Sequence, residues 1–584
     1  MAGPVGLADA AVSMDAGVSG APAMTPSRRR WTMVAVVLGS AVVFLDTSVV
    51  NLALPRIGEE LPSDLFGTLE AQSYVAYGYF VTLSALLILA GGLTDYHGRR
   101  KMFSLGLIGF AATSLLCGVA PSMEFLIVAR VLQGAAGALV VPGSLAIITA
   151  SFDGEERGRA FGVWAGASAA TTILGPFIGG MLVNTISWRM AFLVNLPLLA
   201  VAYLATIHAV PESRDPNATG HFDWLGSAVI VLAVGGLAFG TIRGEQQGWG
   251  EPVAVGSLVV GGIAAIVFPF LMLRRRDPLV PPRLFRSRNF TVTNLATLVI
   301  YGALYVSLTF EGIFLIGTLG YNEQAAGIAG IPSSLLLVLF STRFGRLAAR
   351  HGPRLYMAAG PAIMAIGLLW FVRLPSDSAG WVFGGGAGSS ILPPSDYFVD
   401  LLPALLVFGA GLMMMVAPLT TALMTSVPES NAGVASAINN AISRVGSPLV
   451  TAVIFVAVAS SFYASIGSQV PGTDVDSREF RADVAPLNQP AQGVSAEIRA
   501  AARSSSTDAF HLAMMVSAGL LLVGAAINAV GIRNPAGAGR RAGPGGERPP
   551  DREAAGAGGP VRSSPDGFGD EESPRAPTGH ARDR

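Results

Sequence analysis

Apolar residues in this chain come in uninterrupted blocks of about 20 or more, long enough to cross a hydrocarbon core about 30 Å thick. A soluble chain of 584 residues needs more charge than the 13% found here, and its 51% of apolar residues would alternate with polar ones. Mean hydropathy is +0.55. The blocks fall at 31–54, 73–93, 102–120, 122–149, 159–182, 190–210, 224–243, 254–273, 291–318, 327–347, 355–374, 400–426, 432–461 and 509–532. The sequence thus predicts an all-α polytopic membrane protein with fourteen transmembrane helices.

Charge placement supports that number. With the N-terminus on the cytoplasmic side, the short inner segments carry 19 basic residues, from Arg28–Arg30 and Arg99–Lys101 through Arg274–Arg276 to Arg354. The short outer loops carry Arg56, Arg189 and Arg243. Basic residues stay in the cytoplasm, so one span more or fewer would scramble this asymmetry. The first apolar block is too long for the core of a signal peptide. Residues 1–30 and 533–584, rich in Gly, Pro and charge, read as disordered cytoplasmic tails. The long segment 462–508 falls on the outer side.

Several chemistries are excluded. Net charge is zero, so no basic field points to nucleic acid. Cys117 is the one cysteine and the six histidines are scattered, which leaves no cysteine-cluster or zinc site. Lys101 is the one lysine and follows Arg-Arg, so no Walker A loop exists. No nucleophile–base pair stands out either. The chain reads as neither an enzyme nor a cofactor protein, and whatever work it does, it does not hydrolyse ATP through a P-loop of its own.

The stretch Gly91-Gly92-Leu93-Thr94-Asp95-Tyr96-His97-Gly98-Arg99-Arg100 closes the second block, and Gly345-Arg346-Leu347-Ala348-Ala349-Arg350-His351-Gly352-Pro353-Arg354 closes the tenth. The glycines and arginines repeat, but the acid survives only in the first copy. Two related six-helix halves follow, 31–210 and 289–532, with an inserted helix pair and its flanking loops at 211–288. Paired halves around a central path are a transporter arrangement.

With these motifs the chain resembles the major facilitator superfamily, and within it the fourteen-span drug:proton antiporter branch of EmrB/QacA-like exporters. Leu45-Asp46-Thr47-Ser48-Val49-Val50-Asn51-Leu52-Ala53-Leu54-Pro55 is similar to that branch's first-span motif, and Gly91–Arg100 to the superfamily's motif between spans two and three. Arg130–Gly137 matches the span-four motif. Gly166 with Gly175-Pro176-Phe177-Ile178-Gly179-Gly180 matches the span-five antiporter motif, and Trp188–Pro197 the opening of span six. Tyr74 stands where the branch usually has tryptophan, and Ile316 where many members have glutamine. The resemblance implies a major facilitator fold, proton coupling through Arg130, and export rather than uptake.

Residue chemistry supplies candidate roles. Ionised groups inside spans are costly and mark ion paths. Asp46 lies nine residues before Pro55 and Arg130 nine after Pro121, so at about 1.5 Å per residue both sit ~13 Å below the outer boundary. They can pair, either for proton coupling or as a structural ion pair between spans one and four. Glu311, nine residues before Gly320, mirrors Asp46 in the second half, where Leu406 replaces the arginine. Its one prospective partner is Arg444. Glu311 reads as a second proton site, a contact for cationic substrates, or a glutamate facing a wet cavity without a coupling role. Gly91, Asp95, Gly98, Arg99 and Arg100 form a gating turn, the acid accepting from helix N-termini or arginines on the inner side. Gly175, Pro176, Gly179 and Gly180 make a bendable span with a smooth packing face. Phe44, Tyr77, Gln133, Tyr305 and Asn440 are candidates for the substrate path.

The expected function is proton-coupled export of lipophilic small molecules, drugs or antibiotics, by a monomer in the bacterial plasma membrane, with both termini cytoplasmic and no cofactor besides the proton gradient. An uptake or lipid carrier of the same fold and a non-transporting membrane sensor are the rival readings.

Overall fold

The computed structural model describes residues 24–63, 68–215, 221–384, 389–491 and 493–534. Most of the two expected tails, 1–23 and 535–584, lies outside the described residues.

Among those residues fourteen long helices stand where the blocks predict spans: α1 Pro26–Glu60, α2 Thr68–His97, α3 Arg99–Gly118, α4 Met123–Ser151, α5 Gly154–Thr185, α6 Asn195–Ala209, α7 Trp224–Gln247, α8 Pro252–Arg274, α9 Arg288–Gly317, α10 Ile331–His351, α11 Arg354–Phe371, α12 Leu402–Thr425, α13 Ala432–Gln469 and α14 Ala496–Gly531. Twelve are long and apolar enough to cross a membrane, α6 together with the short helix Met190–Leu193 before it; α5 and α13 do not reach that measure within the described residues.

The helices overrun the apolar blocks because capping chemistry, not the edge of hydrophobicity, ends a helix. α1 starts where Thr25 accepts the Arg28 N–H, and it continues through Pro55 to Glu60. The expected outer loop 462–508 is much shorter than its apolar boundaries suggest: α13 persists to Gln469, Arg478–Asp483 adds a helical turn, and Ser495 caps α14. The two extensions are tied together, Ser505 Oγ donating to Ser465 Oγ at 2.9 Å and Gln469 Nε2 to Ser505 Oγ at 3.1 Å.

One large apolar cluster, around Tyr79, Phe103, Phe110 and Phe161, draws on α1–α8, the start of α9, the end of α12 and the start of α13. A second, around Phe310, Phe371 and Phe408, draws on α9 and α11–α14; in it Phe314 stacks on Phe510 at 4.1 Å. Without a hydrophobic drive in lipid, helices associate where small residues let backbones close. Gly134 of α4 illustrates this: a Cβ there would stand 2.5 Å from the Tyr79 carbonyl oxygen of α2.

Two seams join the first six helices to the last six, α2 against α13 and α5 against α10. Both are closed by glycine at the end that carries the basic loops. A Cβ on Gly91 would lie 2.5 Å from the Gly433 carbonyl oxygen, and one on Gly158 2.6 Å from that of Gly345. α7 packs on α2 and also touches α13, whereas α8 packs chiefly on α7 and turns most of its apolar surface outward.

Candidate functional site

Asp46 and Arg130 meet, as their equal depth predicts. Arg130 Nη1 donates to Asp46 Oδ2 at 2.5 Å, with Asp46 0% and Arg130 1% exposed. The pair is embedded in further donors and acceptors. Arg130 Nη1 also reaches Gln133 Oε1 at 2.6 Å, and Arg130 Nε donates to the Val75 carbonyl at 3.1 Å. Asp46 Oδ1 accepts from Asn195 Nδ2 at 2.9 Å and from Gln133 Nε2 at 3.1 Å. Ser114 Oγ accepts from the same two amides. The guanidinium plane lies over the Tyr79 ring, 4.2 Å from its centroid. Five helices, α1, α2, α3, α4 and α6, therefore converge on one carboxylate.

A buried ion pair costs several kcal/mol per ion in lost hydration, and only such geometry offsets it. One atom remains unmatched: Asn195 Oδ1 is buried without a partner. Asn195 and Ser114 carry this cluster as much as Gln133 does. Asn195 was visible in the sequence only as part of the span-six motif, and nothing marked Ser114. Gln133, a candidate for the substrate path, is fully buried beside the ion pair.

A cavity of 430 Å³ adjoins the cluster, lined by Thr47 and Leu54 of α1, by Gln72, Ser73, Ala76, Tyr77 and Phe80 of α2, and by Arg130. These residues lie in the halves of α1 and α2 remote from the basic loops. Tyr77 also lines a 230 Å³ cavity between α2, α4 and α7, where Arg243 contacts the Tyr74 hydroxyl. Of the other path candidates, Phe44 meets Trp164 edge-on at 6.3 Å, Tyr305 is exposed on α9 beside Tyr301, and Asn440 donates to the Ser436 carbonyl at 2.9 Å.

Glu311 stands apart on α9, half-buried, with no ion pair among the described residues. Arg444 does not reach it; the guanidinium lies over Phe80 of α2, 5.4 Å from the ring centre.

At the basic end Asp95 caps the N-terminus of α13. Its Oδ1 accepts the Gly433 N–H at 3.0 Å and its Oδ2 the Val434 N–H at 2.9 Å, where the helix dipole favours an anion. Arg99 stands 3.5 Å from Asp95 and bonds Glu429, through its carboxylate at 3.3 Å and its carbonyl. Gly98 makes the turn with φ +108°. Arg100 places its backbone N–H on Glu212 at 3.1 Å. Among the described residues the other seam has no buried acid. Ala349 lies against Gly158, Ser341 Oγ donates to the Gly162 carbonyl at 2.8 Å, and an exposed Arg350–Glu155 pair closes at 2.7 Å.

Gly175 and Gly179 of α5 seat against Ser48 and Val49 of α1, one turn from Asp46. The surroundings of Pro176 and Gly180 lie outside the described residues.

The family model of the Major Facilitator Superfamily matches residues 36–451. The chain is 30% identical to the multidrug resistance protein Stp of Mycobacterium tuberculosis, over 74% of this chain and 77% of that one. It is 31% identical to the puromycin resistance protein pur8 of Streptomyces alboniger, over 73% and 81%. It is 30% identical to the tetracenomycin C resistance and export protein of Streptomyces glaucescens, over 76% and 79%. Among solved structures it resembles the human organic anion transporter MFSD10, with a TM-score of 0.52 at 15% identity, covering 86% of this chain and all of that one. At that identity the likeness speaks for the fold alone.

Proposed function

The chain belongs to the Major Facilitator Superfamily, a family of membrane transporters, and from that premise we propose that it exports lipophilic drug-like molecules, antibiotics among them, in exchange for protons. The observation that carries this reading is the Asp46–Arg130 pair, sealed from water inside five helices yet adjoining a 430 Å³ cavity. The relatives' names, a multidrug resistance protein, a puromycin resistance protein and a tetracenomycin C resistance and export protein, support the substrate class and the direction.

The basic end is cytoplasmic in this reading. With Asp46 ionised and paired, both glycine seams are shut on that side and the cavity serves the outside. A proton entering from outside neutralises Asp46 and frees Arg130. The seams then part, and the halves rock to admit substrate from the cytoplasm or inner leaflet. Asp95 on the α13 N-terminus is the inner gate. One proton moving down ~150 mV supplies roughly 3.5 kcal/mol, at about 2.3 per 100 mV, which sustains a gradient of a few hundredfold. Tyr77 and Tyr305 offer aromatic faces to a lipophilic guest, and Glu311 offers a carboxylate to a cationic one.

Drug-stimulated proton movement in proteoliposomes tests the proposal. The wild type releases a pulse of protons when substrate is added, and Asp46→Asn does not. A pulse of equal size from Asp46→Asn defeats proton coupling at this site, and a wild type that accumulates drug in cells only while the gradient stands is an importer.

A further inference from the structure

The inserted pair α7–α8 has no part in the mechanism above, yet both chain segments that tether it sit on the inner gate. The first leaves α6 and reaches the α2–α3 turn at once. Glu212 Oε1 accepts the Arg100 N–H and Oε2 the Lys101 N–H, each at 3.1 Å, and so supplies the side-chain cap that Gly98 cannot give to α3. The Arg99 N–H donates to the Ser213 carbonyl at 2.9 Å, and the Asp215 N–H to the carbonyl of Asp95 itself at 3.0 Å. Phe222 then meets the Tyr96 ring edge-on at 5.7 Å.

The returning segment closes on the same place. Leu279 fills the space beside Gly92, where a Cβ would be 2.5 Å from its Cδ1, and its N–H donates to Asp223 Oδ2 at 3.3 Å. Asp223 also caps α7 through the Gly226 N–H at 2.9 Å and pairs with Arg275 at 3.4 Å.

The second half contains a reduced version. Past the end of α14, Asn534 accepts the Arg354 N–H at 3.1 Å, against Gly352 with φ +86°. The residue beyond the sixth helix of each half thus caps the third. In the second half the cap is one neutral amide oxygen, and among the described residues no buried acid lies behind it. In the first half it is a carboxylate with two acceptors, followed by a strand of chain bonded to the Asp95 backbone and continuing into a helix that touches both α2 and α13.

We infer that Glu212 is a positioning residue for the inner gate, and that through it the inserted helix pair holds the α2–α3 turn so that Asp95 stays on the N-terminus of α13. The pair is a brace across one seam; among the described residues the α5–α10 seam has none. The inference rests on the gate reading of Asp95, and its test separates the two.

The experiment uses the full chain in proteoliposomes, on a Cys117→Ser background, with a reporter thiol Ala437→Cys buried at the α2–α13 seam. A membrane-impermeant maleimide applied to the basic side reads how often the seam opens. Adding Glu212→Ala raises the labelling rate roughly three- to tenfold, about 0.7–1.4 kcal/mol, the size expected when water can replace the two lost bonds of an exposed turn. Glu212→Gln, which keeps one acceptor oxygen, falls between, and Leu279→Ala, on the other tether, moves the rate the same way. Asn534→Ala leaves this reporter unchanged. A second reporter at the far end, Ala191→Cys, stays unlabelled throughout, so a rise there marks unfolding and overturns the assignment. If Asp95→Asn opens the seam but neither Glu212→Ala nor Leu279→Ala does, the brace is wrong and the gate stands. If Asp95→Asn has no effect either, the gate reading fails with it.

Discussion

Arg130 makes four kinds of contact at once: a carboxylate, an amide oxygen, a backbone carbonyl and a tyrosine face. Only a planar guanidinium presents donors in those directions, so lysine is not a conservative replacement. Removing one member of a buried pair strands the other. Arg130→Ala is therefore expected to lower stability by about 3–5 kcal/mol, read as a loss of folded protein in detergent against denaturant. Neutralising both partners, Asp46→Asn with Arg130→Gln, should restore much of that stability and none of the proton coupling. A double variant as unstable as Arg130→Ala contradicts the account. The pairing itself was legible, because depth along a helix is arithmetic and two charges at one depth in lipid seek each other. The supporting amides were not. Asn195 follows a break between the short helix Met190–Leu193 and α6, so no periodicity carries its direction to Asp46. Gln133 is one turn from Arg130 on the face that α1 and α3 cover, and sequence gives no means of telling that face from one lining a path.

At the scale of helices, the two seams use the same glycine contact but differ in polar chemistry. The Asp95 seam is buried and charge-assisted, while Arg350 and Glu155 are well exposed and screened by water. Exposed pairs contribute about 0–1 kcal/mol. Arg350→Gln should change opening of its own seam less than about twofold, read with a reporter thiol placed at the α5–α10 seam, whereas Asp95→Asn, which replaces an anion on a helix N-terminus with a neutral amide, should change opening at the Ala437→Cys reporter many-fold. Glycine substitutions sort the same way. Gly91→Val drives side-chain atoms into the Gly433 backbone and should abolish transport by holding the seam apart. Gly256→Ala on α8, which meets nothing within 4 Å, should leave expression and transport as they are. The repeated cassette announced both turns in advance. What it could not announce was the asymmetry of their caps, since Glu212 and Asn534 lie more than a hundred residues from the turns they bond.

For the molecule as a whole, the proposed mechanism couples closure at one end to the state of a carboxylate near the other. Asp46 and the glycine seat of α5 on α1 share a turn, Gly175 against Ser48 and Gly179 against Val49, so a change in the ion pair acts directly on the helix that forms the second seam with α10. α2 forms the other seam and also supplies Val75 and Tyr79 to the arginine. α2 thus touches the ion pair itself, and α5 seats on α1 within a turn of it. Neutralising Asp46 removes the charge that holds Arg130 against α1 and should shift the population toward the form open at the basic end. Spin labels at Thr185→Cys and Gln469→Cys, at the far ends of α5 and α13, report this in the Cys117→Ser protein. With Asp46→Asn the far-end distance distribution gains a shorter component, and with Asp95→Asn it gains the same component without any change at the ion pair. A far-end distance that ignores Asp46→Asn but responds to Asp95→Asn would make the ion pair a structural rivet, leaving the basic-end gate to drive alternation on its own.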